Sequence, residues 1–116
     1  MHGVQVANVT VTTNGSGAAA AVSTPISGEI LAIGYLKGTV DGSTTAVITN
    51  TNAPAQSIDS YDVNTAAAAV RYVRATVLGA SAGDNLRCPY VVSDTLTITV
   101  TGGAASKTFY VLIYYR

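Results

Sequence analysis

The sequence predicts an all-β domain, a small antiparallel sandwich or jelly roll of about eight strands. Three observations lead there. Val, Thr, Ala and Gly dominate, Tyr is nearly the only aromatic, and the helix formers Leu, Glu, Lys and Gln are scarce, a composition suited to a pleated surface. Turn signals recur at roughly the 8–12 residue spacing of sandwiches and barrels, at Asn14-Gly15, residues 25–28, Asp41-Gly42, residues 52–54, residues 79–85, Pro89 and Gly102-Gly103. Near the end of the chain Leu96, Ile98 and Val100 alternate with Thr95, Thr97, Thr99 and Thr101, the period-2 order of a strand with one oily and one hydroxylated face.

Each element can be read in turn. In residues 4–12, Val4 and Val6 share one face while Val9 and Val11 fall on the other, which predicts a bulge or bend near Ala7 and Asn8. Asn14-Gly15-Ser16-Gly17 reads as a hairpin turn. Residues 29–37 are apolar on both faces, as expected of a central strand with neither face wetted. Residues 45–51 form a further strand, and residues 57–63 a short acidic one with Asp59 and Asp62 on opposite faces. Residues 70–78 read as one strand, with Arg71 in phase with Val73, Ala75 and Val77; a turn, or one helical turn within residues 64–69, leads into it. The Thr-rich segment and residues 108–115 are expected to pair as an antiparallel hairpin. The second strand of that hairpin is apolar on both sides, with Phe109, Val111, Ile113 and Tyr115 on one face and Tyr110, Leu112 and Tyr114 on the other.

The 116 residues are expected to form a single domain, 1–116, with residues 1–5 free to act as an extended N-terminal arm. Folding at this length removes roughly two-thirds of the unfolded surface from water, so neither a metal nor a disulfide is needed to stabilise the core. Six basic and six acidic side chains leave a formal net charge of zero. That provides no field for phosphate, which argues against nucleic acid and against an anionic membrane surface as partners. No apolar run approaches the ~20 residues of a spanning helix, and no basic region followed by an apolar block marks a secretory signal. A lone Cys88 fits a reducing cytoplasm. Only 10% of residues are charged, against about 25% in ordinary domains. A neutral, weakly charged surface is poorly suited to staying dispersed, so much of it is expected to be covered by a partner.

Candidate chemistry is sparse. His2 is the one imidazole and lies beside the terminus, where no orienting partner is evident. Cys88 has no nearby His to activate it. Asp59 and Asp62 are the closest acidic pair, but three residues apart on a strand they point apart; with Asp41, Asp84 and Asp94 they read as solvated loop or turn residues. Gly83-Asp84-Asn85 lacks the ladder of a calcium loop, and the glycines at 15 and 17 lack the Lys and the strand-helix context of a phosphate cradle. Tyr35, Tyr61, Tyr72, Tyr90, Tyr110, Tyr114 and Tyr115 suit core and subunit contacts better than ligand stacking, since no Trp and no basic groove accompany them. An enzyme is therefore not expected, nor a cofactor.

Four segments together carry a family resemblance: Gly28-Glu29-Ile30-Leu31-Ala32-Ile33-Gly34-Tyr35-Leu36-Lys37, then Arg71-Tyr72-Val73-Arg74-Ala75 before a Gly-rich loop, then Pro89-Tyr90-Val91-Val92, and finally the Thr-rich stretch followed by Phe109-Tyr110-Val111-Leu112. In pattern and order they resemble small structural proteins of tailed bacteriophages, the head decoration or cement proteins. The resemblance implies a β-sandwich or jelly-roll body, often trimeric, made in the host cytoplasm and bound to the capsid exterior. It also implies the major capsid protein and other copies of the chain as partners, with stabilisation by contacts across capsomer boundaries and no covalent chemistry. On that reading Met1, His2, Gly3, Val4 and Gln5 are candidates for an arm laid on the capsid or a neighbour. Arg71, Arg74, Arg87 and Lys107 are candidates to meet acidic capsid surface, against the plainer reading of isolated solvated cations. Tyr110, Leu112 and Tyr114 are candidates for the subunit interface. The alternative is a receptor-binding module at a fibre tip that recognises a host glycan.

Overall fold

Alternating runs too short for helices and too many for one layer fold into two facing sheets. The computed structural model describes residues 3–53, 57–73, 75–78, 85–88 and 90–116, and for 75–78, 85–88 and 90–91 the backbone alone. The described residues form eleven strands: β1 Gln5–Thr12, β2 Ala19–Val22, β3 Ile26–Leu36, β4 Thr45–Asn50, β5 Ser57–Asp62, β6 Ala68–Arg71, β7 Ala75–Leu78, β8 Asn85–Cys88, β9 Tyr90–Asp94, β10 Leu96–Val100 and β11 Thr108–Tyr115.

Pairing is nested. β1 pairs with β11, β2 with β10, β3 with β6 and β4 with β5, all antiparallel. The first half of the chain thus meets the second half in reverse order, as a long ribbon does when it is rolled over on itself. The resulting sheets run β1-β11-β3-β6 and β2-β10-β4-β5, which is the strand order of a jelly roll. Eight strands make the roll; β7, β8 and β9 belong to the connection between β6 and β10. Of these, β7 and β8 form a separate two-stranded ribbon, and β9 pairs with the Ile26–Ile30 half of β3, beyond the residues that β6 uses.

The core is what the inward phases dictate. Val9, Val11, Ile26, Ile30, Ile33, Tyr35, Phe109, Val111 and Ile113 from the first sheet face Ala46, Ile48, Ile58, Leu96, Ile98 and Val100 from the second, all buried. Full burial of each large aliphatic among them stabilises the fold by roughly 1.5–3 kcal/mol. The alternation in β10 appears as expected, with Leu96, Ile98 and Val100 buried and Thr97 and Thr99 partly exposed. β3 is central as expected, with β11 on one side and β6 and β9 on the other.

Five expectations need correction. β10 and β11 do not form a hairpin: they lie in opposite sheets, because the 101–107 loop crosses between layers and both oily faces reach the core from opposite sides. Asn14-Gly15-Ser16-Gly17 likewise crosses from one sheet to the other. There Asn14 Oδ1 accepts from Ser16 N at 2.9 Å and Ala18 N at 3.0 Å, and Gly103 N donates to Gly17 O at 2.9 Å. β1 has no bulge; it pairs in continuous register from Gln5–Tyr115 to Thr12–Thr108. Ala7 takes the inward phase with Val9 and Val11, while Val4 and Val6 stay outside. The register shifts fall elsewhere, between Tyr114 and Tyr115 and between Ile48 and Thr49. Residues 70–78 are not one strand, since β6 ends at Arg71 and β7 begins at Ala75. Finally, among the described residues no further layer covers the outer faces of β3 and β11, and Leu36 and Tyr110 are exposed.

The expected helical turn exists as one turn of 3-10 helix, Val63–Thr65, with Ala68 and Ala69 already in β6. Asp62 caps it, accepting from Asn64 N and Thr44 N, each at 3.0 Å, and from Ser43 Oγ at 3.2 Å. The bond from the Thr44 N–H, followed by that from Asn64, holds its carboxyl below the usual carboxylate range.

Candidate interaction surface

The middle of the first sheet shows why an uncovered face arises. β11 lies between β1 and β3, and its inward side chains Phe109, Val111 and Ile113 are fully buried. Strand alternation then forces Tyr110, Leu112 and Tyr114 outward. Register sets their neighbours. Tyr110 sits between Thr10 and Leu36, Leu112 between Asn8 and Gly34, and Tyr114 between Val6 and Ala32. β6 extends the rows with Ala68 beside Leu36 and Val70 beside Gly34. Val6 is 50% exposed, Leu36 42%, Val70 56% and Tyr110 37%; these residues flank Leu112 and Tyr114 on an apolar outer face.

That face has relief. Gly34 brings no side chain to its centre, and a groove of about 190 Å³ is lined there by Gly34, Leu36, Ala68, Val70, Leu112 and Tyr114 among others. An added Cβ at Gly34 would meet the Tyr114 ring at 3.3 Å and Leu112 Cβ at 3.4 Å. The glycine is therefore not required by a left-handed backbone but leaves room beneath neighbouring side chains.

The candidate residues fall in several places. Tyr110, Leu112 and Tyr114 come together on this face. Gly3 and Val4 are exposed ahead of β1, whereas Gln5 is already its first residue, paired with Tyr115, whose hydroxyl donates to Gln5 Oε1 at 3.2 Å. Arg71 and Lys107 already hold carboxylates within the chain, Arg71 through Asp59 and Lys107 through Asp41 at 3.2 Å. Met1, His2, Arg74 and the side chains of Arg87 and Cys88 lie outside the described residues.

A polar cluster sits where the two sheets have open edges, at β5 and β6. Arg71 Nε donates to Asp59 Oδ2 at 2.9 Å and its terminal nitrogen to Oδ1 at 3.0 Å, while Tyr35 Oη donates to Oδ2 at 2.7 Å. The guanidinium stacks over the Tyr61 ring at 4.8 Å, and the Tyr35 and Tyr61 rings lie 4.8 Å apart. Burial first, then the bond to Asp59, pushes the Tyr35 phenol far above its ordinary range; the bond to Asp59 raises Arg71 as well. Both carboxylate oxygens are engaged, so the cluster joins the two sheets. Asp59 is thus buried rather than solvated. The phase of Arg71, shared with buried Val73, was the available signal; its partner on the opposite sheet could not be read from spacing.

Among the described residues no group of three His, Cys, Asp or Glu is placed to hold a metal ion, and no helix is long and apolar enough to cross a membrane. The chain matches no family model, no curated protein and no solved structure.

Proposed function

We propose that this chain is a structural protein of a tailed-phage virion, a decoration or cement protein that binds the outside of the head where capsomers meet and stabilises it without covalent bonds. The observation that carries the reading is the broad uncharged face on a jelly-roll body. A protein whose task is to be covered by neighbours can leave such a face open, whereas a protein that acts alone in solution is poorly served by it. Assembly as a homo-oligomer, with a three-fold ring as the form expected from the resemblance, multiplies weak single contacts into strong attachment. The major capsid protein is the second partner, and the work needs no cofactor and no turnover.

The test is a thermal or osmotic challenge of phage heads with and without the protein. Higher survival of decorated heads is expected, and equal survival would count against cementing. A receptor-binding module at a fibre tip is the second reading. It is favoured by exposed Tyr72 and by the hydroxyls of Thr49, Thr97 and Thr99, which alternate with buried neighbours on the second sheet. Labelled protein found at the tail in few copies would select it over decoration.

A further inference from the structure

We propose that the outer face of the first sheet, centred on Tyr110, Leu112 and Gly34, is the contact between copies of this chain. Val6, Leu36, Val70 and Tyr110 are large hydrophobic residues left exposed on this face, where a monomeric protein rarely leaves a contiguous apolar patch open.

Charge selects the occupant. Among the described residues the rows from Thr10–Tyr110–Leu36–Ala68 to Val6–Tyr114–Ala32 contain no ionisable group except the tyrosine hydroxyls. The charges bordering these rows are Arg71, which takes the inward phase opposite Ile33 and pairs with Asp59, Lys37 just after Leu36, and Glu29 and Arg116, which pair with each other at 3.7 Å at the other end of the face. A strongly charged partner would find nothing here to complement it. A second copy meets no such mismatch. Its matching face buries no unpaired charge, and two chains of formal net charge zero approach without long-range repulsion. The relief also suits self-packing, since each copy carries both projections, at exposed Val70 and Tyr110, and a notch over Gly34 that a projection of another copy can enter.

This inference deepens the decoration reading, which would use the contact to build its oligomer, but the association is measured without phage particles. Sedimentation of the purified chain from about 1 to about 500 μM is expected to give a mass that is a multiple of 11.8 kDa. Val70→Lys on an edge strand and Leu36→Lys on a central one are each expected to raise the dissociation constant at least tenfold, with unfolding midpoints unchanged. Val22→Lys, at a position 56% exposed on the other sheet, is expected to associate like the wild type. A wild type that stays monomeric throughout overturns the proposal, and so do lysine variants that associate normally or a Val22→Lys variant that dissociates as they do. Binding of the same proteins to undecorated heads separates the two readings. Association without head binding removes the decoration reading and leaves the contact standing, whereas head binding by a monomer, lost in Val70→Lys, assigns the face to the capsid and overturns the contact.

Discussion

The Tyr35 hydroxyl donates a 2.7 Å hydrogen bond to Asp59, joining the inner side of β3 in one sheet to edge strand β5 in the other. Arg71 on β6 completes the join from the opposite edge. The core between the sheets is held by apolar packing, which has no preferred direction. Here three directed bonds on one carboxylate set how the two edges meet.

Removing Asp59 should therefore hurt more than removing Arg71. Asp59→Ala leaves a buried phenol without an acceptor and a guanidinium without its partner, and a loss of about 2–4 kcal/mol is expected. Arg71→Ala should cost only about 1–2 kcal/mol, because its side chain is 42% exposed and water can replace part of what Asp59 loses. Urea unfolding of both variants and the double variant checks this. The double variant should cost less than the two singles together, and an Asp59→Ala protein as stable as wild type would show that the join is idle.

Tyr35 also predicts the alkaline limit of stability. Its folded-state pKa lies above the unfolded value, so the stabilisation is fully present below the unfolded tyrosine's pKa of about 10 and declines as pH rises beyond it. The slope from this one group should be about 1.4 kcal/mol per pH unit. Unfolding measured between about pH 9 and 11 should show that slope reduced in Tyr35→Phe, and equal slopes in the two proteins would refute the assignment.

Two glycines in one turn should behave oppositely. Gly17 has φ +79°, and an added Cβ would run into the backbone carbonyl of Gly103, whereas Gly15 has open space around it. Gly17→Ala should lower stability by at least about 1–3 kcal/mol, and Gly15→Ala should leave it within about 0.5 kcal/mol. Thermal unfolding of the pair tests whether the 13–18 and 101–107 crossings depend on this close approach.

The neighbours Phe109 and Tyr110 separate folding from association. Phe109→Ala empties a fully buried site and should cost about 3–5 kcal/mol, while Tyr110→Ala should cost the isolated chain under about 1 kcal/mol. Denaturant titration at low protein concentration reads the folding cost alone. A large loss from Tyr110→Ala under those conditions would mean that the outer face supports the monomer itself.

Strand character was legible where a single residue period decides it. Leu96, Ile98 and Val100 announce β10, and the two-sided apolar run announces β3. Which sheet each strand joins was not, because alternation describes a face without saying what it faces; β10 and β11 adjoin in sequence yet lie in different layers. Val4 and Val6 misled for a related reason. They were read as core residues out of register, although they belong to an outer face that is itself apolar. On the candidate surface, Tyr110, Leu112 and Tyr114 could be assigned together from one strand, but Val6, Leu36 and Val70 join them only through pairings between distant segments.

The nested pairing has a kinetic consequence. β4 and β5 are neighbours along the chain, whereas the closure of β1 on β11 spans 110 residues between Gln5 and Tyr115. Loop-closure entropy favours the inner pair first and the outermost last. The rows that carry Val6, Tyr110 and Tyr114 are thus completed at the end of folding, so a chain still rolling up has no finished surface to offer another copy.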